Sequence, residues 1–295
     1  MDLQIRKMKP EDFEPLHALL SNADVMRFLE PPFSEEQTKE FLETQGLTDE
    51  PRVLAVADEN DLLIGYVIYH PYDEKSMEIG WILPPEIWKQ GIASALTGKL
   101  IEKASAEEKD VVIECVPKQF ATKRIAAKYG FTYLANSEGP DIYRRFLRQQ
   151  VRIVDEEIKL IPYFPNSDET LEWYQDPELC KQVDNVDEVY TLEKLNRMYA
   201  FLSEHGHCYY ISYHGKLVGD ITLRDNAEIC LVVCKEYQNR HIGRRCVQNM
   251  IELARDLCFA ELKAQIYAFN KQSQTMFEAV GFQKLSKEDW TIALL

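Results

Sequence analysis

A chain of 295 residues has room for one large domain or two ordinary ones. Its formal net charge of −15 is divided almost evenly between the halves; such a surface keeps a protein soluble and repels nucleic-acid backbones and anionic membranes, while favouring a cationic substrate. The opening "MDLQIRKMKPEDFEPL" has neither a signal-peptide core nor transit-peptide character, and no apolar run approaches the roughly 18 residues of a membrane span, so a soluble, cytoplasmic protein is expected.

Taken in order, the first half begins with a strand in "LQIRKM" and a helical region. A β-meander follows in "RVLAVAD", "LLIGYVIYH" and "MEIGWIL". A helix after "PPEIWKQG" carries an apolar stripe at Ile92, Leu96, Leu100 and Ala104; then come a strand in "VVIECV", a helix and two closing strands. The junction near "RRFLRQQVRIVDEE" has no Gly, Pro or Ser run and gives no sign of a long flexible linker. Beyond it the order repeats: "EIKLIPYF", a helical region, "CYYISYH", "KLVGDITL" and "AEICLVV". A helix striped with Ile242, Cys246, Met250 and Leu253 leads to the strand "LKAQIY", a helix and two closing strands.

Three blocks align in register between the halves: "DLLIGYVI" with "GKLVGDIT", "EIGWILPPEIWKQGIASAL" with "EICLVVCKEYQNRHIGRRC", and "PKQFATKRIAAKYGF" with "AFNKQSQTMFEAVGF". A duplicated α+β domain is expected, over residues 1–150 and 151–295, each with a mixed, mostly antiparallel sheet flanked by helices. The seven cysteines include no CxxC pair and sit mainly in apolar or strand-like settings, where a reduced cysteine acts as a small hydrophobe. His70 beside Pro71, His205 and His207 around Gly206, and His214 before Gly215 are expected in turns. They form no ligand set, and no metal is expected.

These blocks, in this order, resemble the GNAT superfamily of acyl-CoA-dependent N-acyltransferases, whose pyrophosphate loop has the form Q/R-x-x-G-x-G/A. In the first half the loop is "WKQGIA", with Trp88 in the Q/R place and Gly91 and Ala93 fitting. The run containing it is similar to the ribosomal-protein N-acetyltransferase branch. In the second half it is "QNRHIG": Gln238 and Gly243 fit, and His241 replaces the first glycine. The family's N-x-x-S arrangement stands at Asn270 and Ser273, where the first half has Gln119 and Thr122. The resemblance covers nearly the whole chain, twice.

Amides at a helix start lack partners and the helix dipole favours negative charge there, so the loop suits a diphosphate provided small residues let the backbone approach. His241 is harmless if its side chain turns away from those amides, and blocks the loop or donates to phosphate if it turns toward them. Arg240, Arg244 and Arg245 crowd the positive helix end, where either an anionic partner or the reach of their stems into solvent relieves the repulsion.

The resemblance implies acetyl-CoA as cofactor. In the first half it would meet Trp81, Ile82 and Leu83 on the strand, then Trp88, Lys89, Gln90, Gly91, Ile92, Ala93 and Ser94. In the second half it would meet Leu231, Val232, Val233, Gln238, Arg240, His241, Ile242, Gly243, Arg244, Asn270 and Ser273. The pantetheine arm would lie between two splayed parallel strands, "EIGWIL" and "VVIECV" or "EICLVV" and "LKAQIY". An attacking amine must lose a proton and the oxyanion must be stabilised. Glu78 and Glu228, at one repeat position, are the candidate bases, directly or through a water; Glu114 is a rival, and a solvated hairpin glutamate is the structural alternative. The tyrosine that many members place four residues before the final Gly-Phe is replaced by Ala126 and Phe277. Ser273 and Thr122 are the remaining hydroxyls for an acid, or else they cap a helix or bind cofactor.

The expected function is acetyl-CoA-dependent transfer of an acetyl group to a primary amine, on a small molecule or on a protein N-terminus or lysine, by a monomer or homodimer. The alternative is an acyl-CoA-binding or interaction protein in which one or both halves have lost the chemistry, motivated by the missing tyrosines and by His241. The low bulk of Gly91, Ala93 and Ser94 favours the first half as the cofactor site.

Overall fold

The computed structural model describes residues 3–135 and 139–294, and the chain divides into two compact units, 1–148 and 149–295. The first unit carries strands β1 (Gln4–Arg6), β2 (Val53–Ala57), β3 (Leu63–Asp73), β4 (Ser76–Ile82), β5 (Asp110–Cys115), β6 (Thr132–Ala135) and β7 (Asp141–Arg145). Its helices are α1 (Phe13–Leu20), α2 (Ala23–Met26), α3 (Glu35–Phe41), α4 (Ile92–Ala106) and α5 (Phe120–Lys128). Among the described residues these strands form one sheet, β1-β2-β3-β4-β5-β7-β6, antiparallel except between β4 and β5.

The second unit repeats the plan with β8 (Arg152–Ile153), β9 (Ile158–Pro162), β10 (Gly206–Tyr213), β11 (Lys216–Arg224), β12 (Ile229–Val233), β13 (Glu261–Gln265), β14 (Gln283–Lys284) and β15 (Asp289–Ala293). Its helices are α6 (Ser167–Trp173), α7 (Pro177–Asp184), α8 (Leu192–Glu204), α9 (Ile242–Asp256) and α10 (Lys271–Ala279). Here the strands fall into two antiparallel ladders, β12-β11-β10-β9-β8 and β13-β15-β14, joined by a parallel bridge between Glu228 and Lys263. Both units are thus the expected mixed, mostly antiparallel sheet flanked by helices.

The apolar stripes of α4 and α9 face their sheets. Leu96, Leu100 and Ala104 are buried with Val67, Ile79, Val111 and Ile113; Ile242, Cys246 and Met250 are buried with Ile221, Ile229, Leu262 and Ala264. Each Leu, Ile, Val or Met among them contributes on the order of 1.5–3 kcal/mol on burial, which anchors both helices and so fixes where their first turns lie. On the opposite face the units differ. The first packs Leu16, Leu20, Met26 and Tyr66. The second packs an aromatic group in which Tyr199, Tyr163 and Trp173 surround Tyr210 with ring centroids 5.6, 5.6 and 5.8 Å away.

Two glycines let the sheets close up beside the site. A Cβ on Gly65 would stand 2.6 Å from the Ile82 carbonyl oxygen, and one on Gly219 would stand 2.1 Å from that of Val232, so any side chain there would push β4 or β12 away.

Two of the four histidines assigned to turns lie in strands instead. His70 is inside β3, opposite Glu78, because Pro71 falls close to the irregularity near the end of that strand and does not end it. His207 is inside β10, because Gly206 opens the strand, pressed against the Leu223 carbonyl, and makes no turn. His205 ends α8 and His214 occupies the β10–β11 turn, as expected. None of the seven cysteines is in a disulfide. No helix among the described residues is long and apolar enough to cross a membrane.

Candidate active site

In both units the parallel strands form a fork. β4 and β5 pair only through Ser76, Met77 and Glu78 against Asp110, Val111 and Val112; beyond this each keeps its outer neighbour, β3 or β7, and the two diverge. β12 and β13 meet at the Glu228–Lys263 bridge. The repeat glutamates therefore mark the apex of each fork.

The loop leaving the fork has one conformation in both units. A single 3-10 turn, Pro85–Ile87 or Lys235–Tyr237, leads to an extended residue, Trp88 (φ −64°, ψ 155°) or Gln238 (φ −65°, ψ 164°). Left-handed residues follow at Lys89 and Asn239 (φ 61° and 60°) and at Gly91 and His241 (φ 81° and 59°). The Trp88 indole N–H donates to the Leu83 carbonyl at 2.7 Å, and the Gln238 amide donates to the Val233 carbonyl at 3.0 Å. Tryptophan in the Q/R place thus makes the same closing bond as glutamine. A second strap repeats as well, Gln90 to the Glu86 carbonyl (2.9 Å) and Arg240 to the Glu236 carbonyl (3.1 Å).

His241 is exposed and adopts the conformation of Gly91, where an added Cβ would meet nothing within 4 Å. Its side chain leaves the loop backbone in place, and His241 lines a cavity beside the loop.

The first helical bonds are donated by Ala95 to Gly91 O (3.0 Å) and by Arg245 to His241 O (3.1 Å). The amides of residues 92–94 and 242–244 therefore precede the ladder, and no side chain caps either helix nor does an acid stand in its first turn. By contrast α3, α7, α8 and α10 are capped by Ser34, Asp176, Thr191 and Asn270. Uncapped amides at a positive dipole end fit a diphosphate.

Of the three crowding arginines, one is committed elsewhere: Arg245 bonds Asp155 (2.9 Å) and Glu157 (2.7 Å). Arg240 lies 5.2 Å over the Tyr237 ring and is absent from the cavity wall described below. Arg244 remains at the mouth of the loop. In the first unit the equivalent residue is Ser94, and a cation arrives from α5 instead: Lys128 Nζ is 2.5 Å from Ser94 Oγ, and the Tyr129 hydroxyl donates to the Ser94 carbonyl at 2.6 Å. Sequence reasoning missed Lys128, because α5 meets the start of α4 only in three dimensions.

The fork glutamates have different neighbours. Glu78 Oε2 lies 3.3 Å from His70 Nε2, which accepts from the Arg52 guanidinium (3.1 Å) while Nδ1–H donates to the Pro71 carbonyl (2.9 Å). Burial holds the Glu78 carboxyl above its ordinary range; positive charge on His70 is the main opposing influence, the charge of Glu114 adds to the rise, and that of Arg52 opposes it least. Glu114 itself is bonded by the Tyr72 hydroxyl. In the second unit the partner across the strand is Arg224, and Glu228 is ion-paired to it.

A cavity of about 1100 Å³ opens in the second unit, somewhat above the ~300–1,000 Å³ of ordinary small-molecule sites. It gathers Glu228, Leu231, Val232, Val233, Gln238, His241, Ile242, Gly243, Arg244, Asn270 and Ser273. Asn270 is itself the helix cap, accepting from the Ser273 amide at 3.1 Å and donating to the Gln182 carbonyl at 3.4 Å, which leaves Ser273 at the cavity wall. Ala126 and Phe277, in the missing-tyrosine positions, are buried in their cores. In the first unit Ile82 and Leu83 are buried, Trp81, Ile92, Ala93 and Ser94 half-buried, and Trp88, Lys89, Gln90 and Gly91 exposed along the loop.

The far wall of the cavity holds a residue unmarked in the sequence reading. Asp220 of β11 is 2 % exposed and accepts from the hydroxyls of Tyr174 and Tyr199, both at 2.9 Å on Oδ2. A lone acid in the buried strand "KLVGDITL" was the available signal.

Residues 2–132 match the family described as acetyltransferase (GNAT) domain, and residues 168–282 match the acetyltransferase (GNAT) family. A Bacillus subtilis (strain 168) protein named as the uncharacterized N-acetyltransferase YnaD is 26% identical over 132 residues, covering 43% of this chain and 78% of that protein. Among solved structures, a GNAT-family acetyltransferase from Bacillus anthracis is similar at 24% identity and TM-score 0.45, over 50% of this chain and 97% of that one. A spermidine N-acetyltransferase from Vibrio cholerae, in complex with CoA and spermine, is similar at 20% identity and TM-score 0.41, over 48% and 92%. The two family matches support a CoA-dependent acyltransferase activity in general terms, and with the repeated fork and loop they identify the chain as two GNAT-superfamily domains in tandem.

Proposed function

We propose that the protein is an acetyl-CoA-dependent N-acetyltransferase acting on a primary amine, with the second domain as the principal site. The observation that carries this reading is the single cavity in which the uncapped α9 amides, the fork strand at Leu231–Val233 and the buried acceptor-side wall meet. Acetyl-CoA, when bound, supplies an acyl group activated as a thioester. The chain's part is to hold and orient. The amides of residues 242–244 and the Arg244 guanidinium receive phosphate, and the β12 edge aligns the arm. Gly243 leaves room at the fork strand: a Cβ there would press on Leu231 Cδ2 at 3.1 Å and lie 3.8 Å from Val233 Cγ2 and 4.0 Å from Met276 Cε.

In the first domain Lys128 and the amides of residues 92–94 form the corresponding anion site. There Glu78, desolvated and beside His70, is a carboxyl suited to accept and release a proton at the fork. Its Trp88-containing run supports the likeness to ribosomal-protein acetyltransferases.

A second reading rests on the Glu228–Arg224 pair. With its usual base position occupied by a guanidinium, the second domain would bind acyl-CoA without turning it over. Titration calorimetry with acetyl-CoA, followed by thiol release on a panel of amines, separates the two. Binding with turnover supports the enzyme, binding without turnover on any amine supports the second reading, and no binding at all sinks both.

A further inference from the structure

Asp220 is used by neither the loop nor the fork, yet it lies beside both. On β11 it pairs with Val232, in the centre of the β12 stretch assigned to the cofactor arm, and it faces the cavity from the side covered by α6 to α8. A carboxylate stripped of water needs a cation or a proton. Two neutral hydroxyls on one oxygen ease that need without neutralising the charge. Among the described residues no Lys, Arg or His forms an ion pair with it, and two cations of the same cavity wall are committed elsewhere. Lys194 pairs with Asp184 at 3.2 Å and lies 3.8 Å over the Tyr190 ring, and Arg224 holds Glu228.

The titratable groups around Asp220 are weak neutral acids: Tyr174, Tyr190 and Tyr199 from the α6–α8 side, Tyr210 from β10, and Cys230 and Cys234 from β12 and the turn after it. None can supply positive charge. The helices on this side of the cavity contribute apolar side chains, Leu179, Val183, Met198 and Leu202, beside the polar Gln182 and Arg197.

We propose that Asp220 is the acceptor subsite of the second domain, receiving the ammonium group of a small primary monoamine whose apolar body lies against Leu179, Met198 and Leu202, and taking one proton from it. The N–H electron pair stays on nitrogen and the carboxylate becomes a neutral carboxyl; as the lone pair formed the C–N bond to the acyl carbon, the C–S bond would break with its electron pair on sulfur, and of the two protons lost by nitrogen one would go to the thiolate and the other, by way of Asp220, to solvent. Burial, against the pull of both tyrosines, pushes the carboxyl up to about 6, close to the pH at which it must work. The other carboxylates on the cavity wall, Asp184 and Glu228, are already ion-paired to Lys194 and Arg224, so Asp220 is the one left for a single substrate charge. The first domain has no counterpart, because the repeat-equivalent residue is Tyr66, packed 5.6 Å from Phe41. Amine capture stands on the cavity alone, while its role in transfer rests on the acetyltransferase reading.

The test uses the full chain without CoA, with carboxyl-13C aspartate. Benzylammonium, 2-phenylethylammonium and isopentylammonium are titrated alongside their alcohol isosteres. At least one ammonium ion should bind, keep Asp220 ionised to lower pH than in the free protein, and lose about tenfold or more in affinity in Asp220→Asn, a substitution that still accepts from both tyrosines. The alcohols should be indifferent to the substitution. Asp220→Asn binding the amines as well as the natural chain does, or a titration of Asp220 unmoved by every ammonium ion, overturns the proposal. CoA titrated into the same two proteins separates the readings: loss of CoA binding in the natural chain would refute the acetyltransferase reading and leave amine capture standing.

Discussion

At the apex of each fork the two domains place a glutamate on the same strand position and give it different company. Glu78 lies 3.3 Å from the His70 imidazole, and burial favours the protonated form of the Glu78 carboxyl. Glu228 faces Arg224, a permanent cation, and is fixed as half of an ion pair. The acceptor-side walls are reversed: the first domain puts the phenol Tyr66 where the second puts the carboxylate Asp220. The backbone plan has been duplicated while the proton-handling group has moved by a strand. A second domain judged only at its fork looks inactive; judged at its cavity, it has a different base.

The largest effect that would break this comparison concerns cofactor. Gly243→Glu places a carboxylate in the first turn of α9, where an acid favours the helix but repels a diphosphate. The fold should survive, and CoA affinity at the tighter site should fall by at least about a hundredfold in calorimetry. Ala93→Glu, its twin on α4, should leave that site alone. If Ala93→Glu is the one that removes it, the first domain is the principal site and the assignment of the cavity is wrong.

Next in size is a pH effect confined to the second domain. The folded carboxyl of Asp220 is raised from its ordinary value to about 6, so between about pH 4 and pH 6 the native state binds more protons than the unfolded chain and stability falls as pH rises. Asn at this position escapes the penalty. Denaturant unfolding of Asp220→Asn should show a gain on the order of 2–3 kcal/mol at pH 7 that fades on acidification and is gone near pH 4. An equal difference at all pH values would mean that Asp220 does not titrate as its burial dictates.

The fork glutamates should respond with opposite signs and smaller size. Glu228→Gln leaves a partly buried guanidinium without its counter-charge and should cost the second domain about 1–2 kcal/mol. Glu78→Gln removes a carboxylate whose ionised form is disfavoured where it stands, so near pH 7 the first domain should be unchanged or slightly more stable. Equal losses in both would erase the distinction drawn between the two apices.

Much of this was legible in the sequence because it rests on local pattern. Strand alternation, the helix stripes and the loop spacing each depend on residues within one or two turns of each other, and the duplication doubled every signal. The fork itself, and the gathering of residues from Glu228 to Ser273 around one space, followed from the resemblance. Less local facts were hidden. Trp88 and Gln238 look unlike, yet both reach back five residues with an N–H. His70 and Arg224 matter through the strand opposite. Lys128 meets Ser94 across two helices, and Asp220 draws its meaning from Tyr174 and Tyr199, 46 and 21 residues away. The expectation of turns at His70 and His207 fails because β3 continues past Pro71 and β10 opens at Gly206.

The smallest effect sharpens the comparison at the loop. A non-glycine residue in the left-handed region carries a strain of about 1 kcal/mol, and glycine gives back part of that advantage through the freedom it adds to the unfolded chain. His241→Gly should therefore change stability by no more than about 1 kcal/mol, in the stabilising direction. The reverse exchange, Gly91→His, should cost about the same, because nothing stands within 4 Å of the added Cβ and conformational strain is the sole penalty. CoA affinity should be indifferent to His241→Gly, since the amides of residues 242–244 keep their places whether the residue before them has a side chain or not. A tenfold loss of CoA affinity in that variant, with stability unchanged, would show that the imidazole is itself a phosphate ligand. A loss of several kcal/mol in Gly91→His would show that the two loops, alike in their left-handed positions, are not held alike by their surroundings.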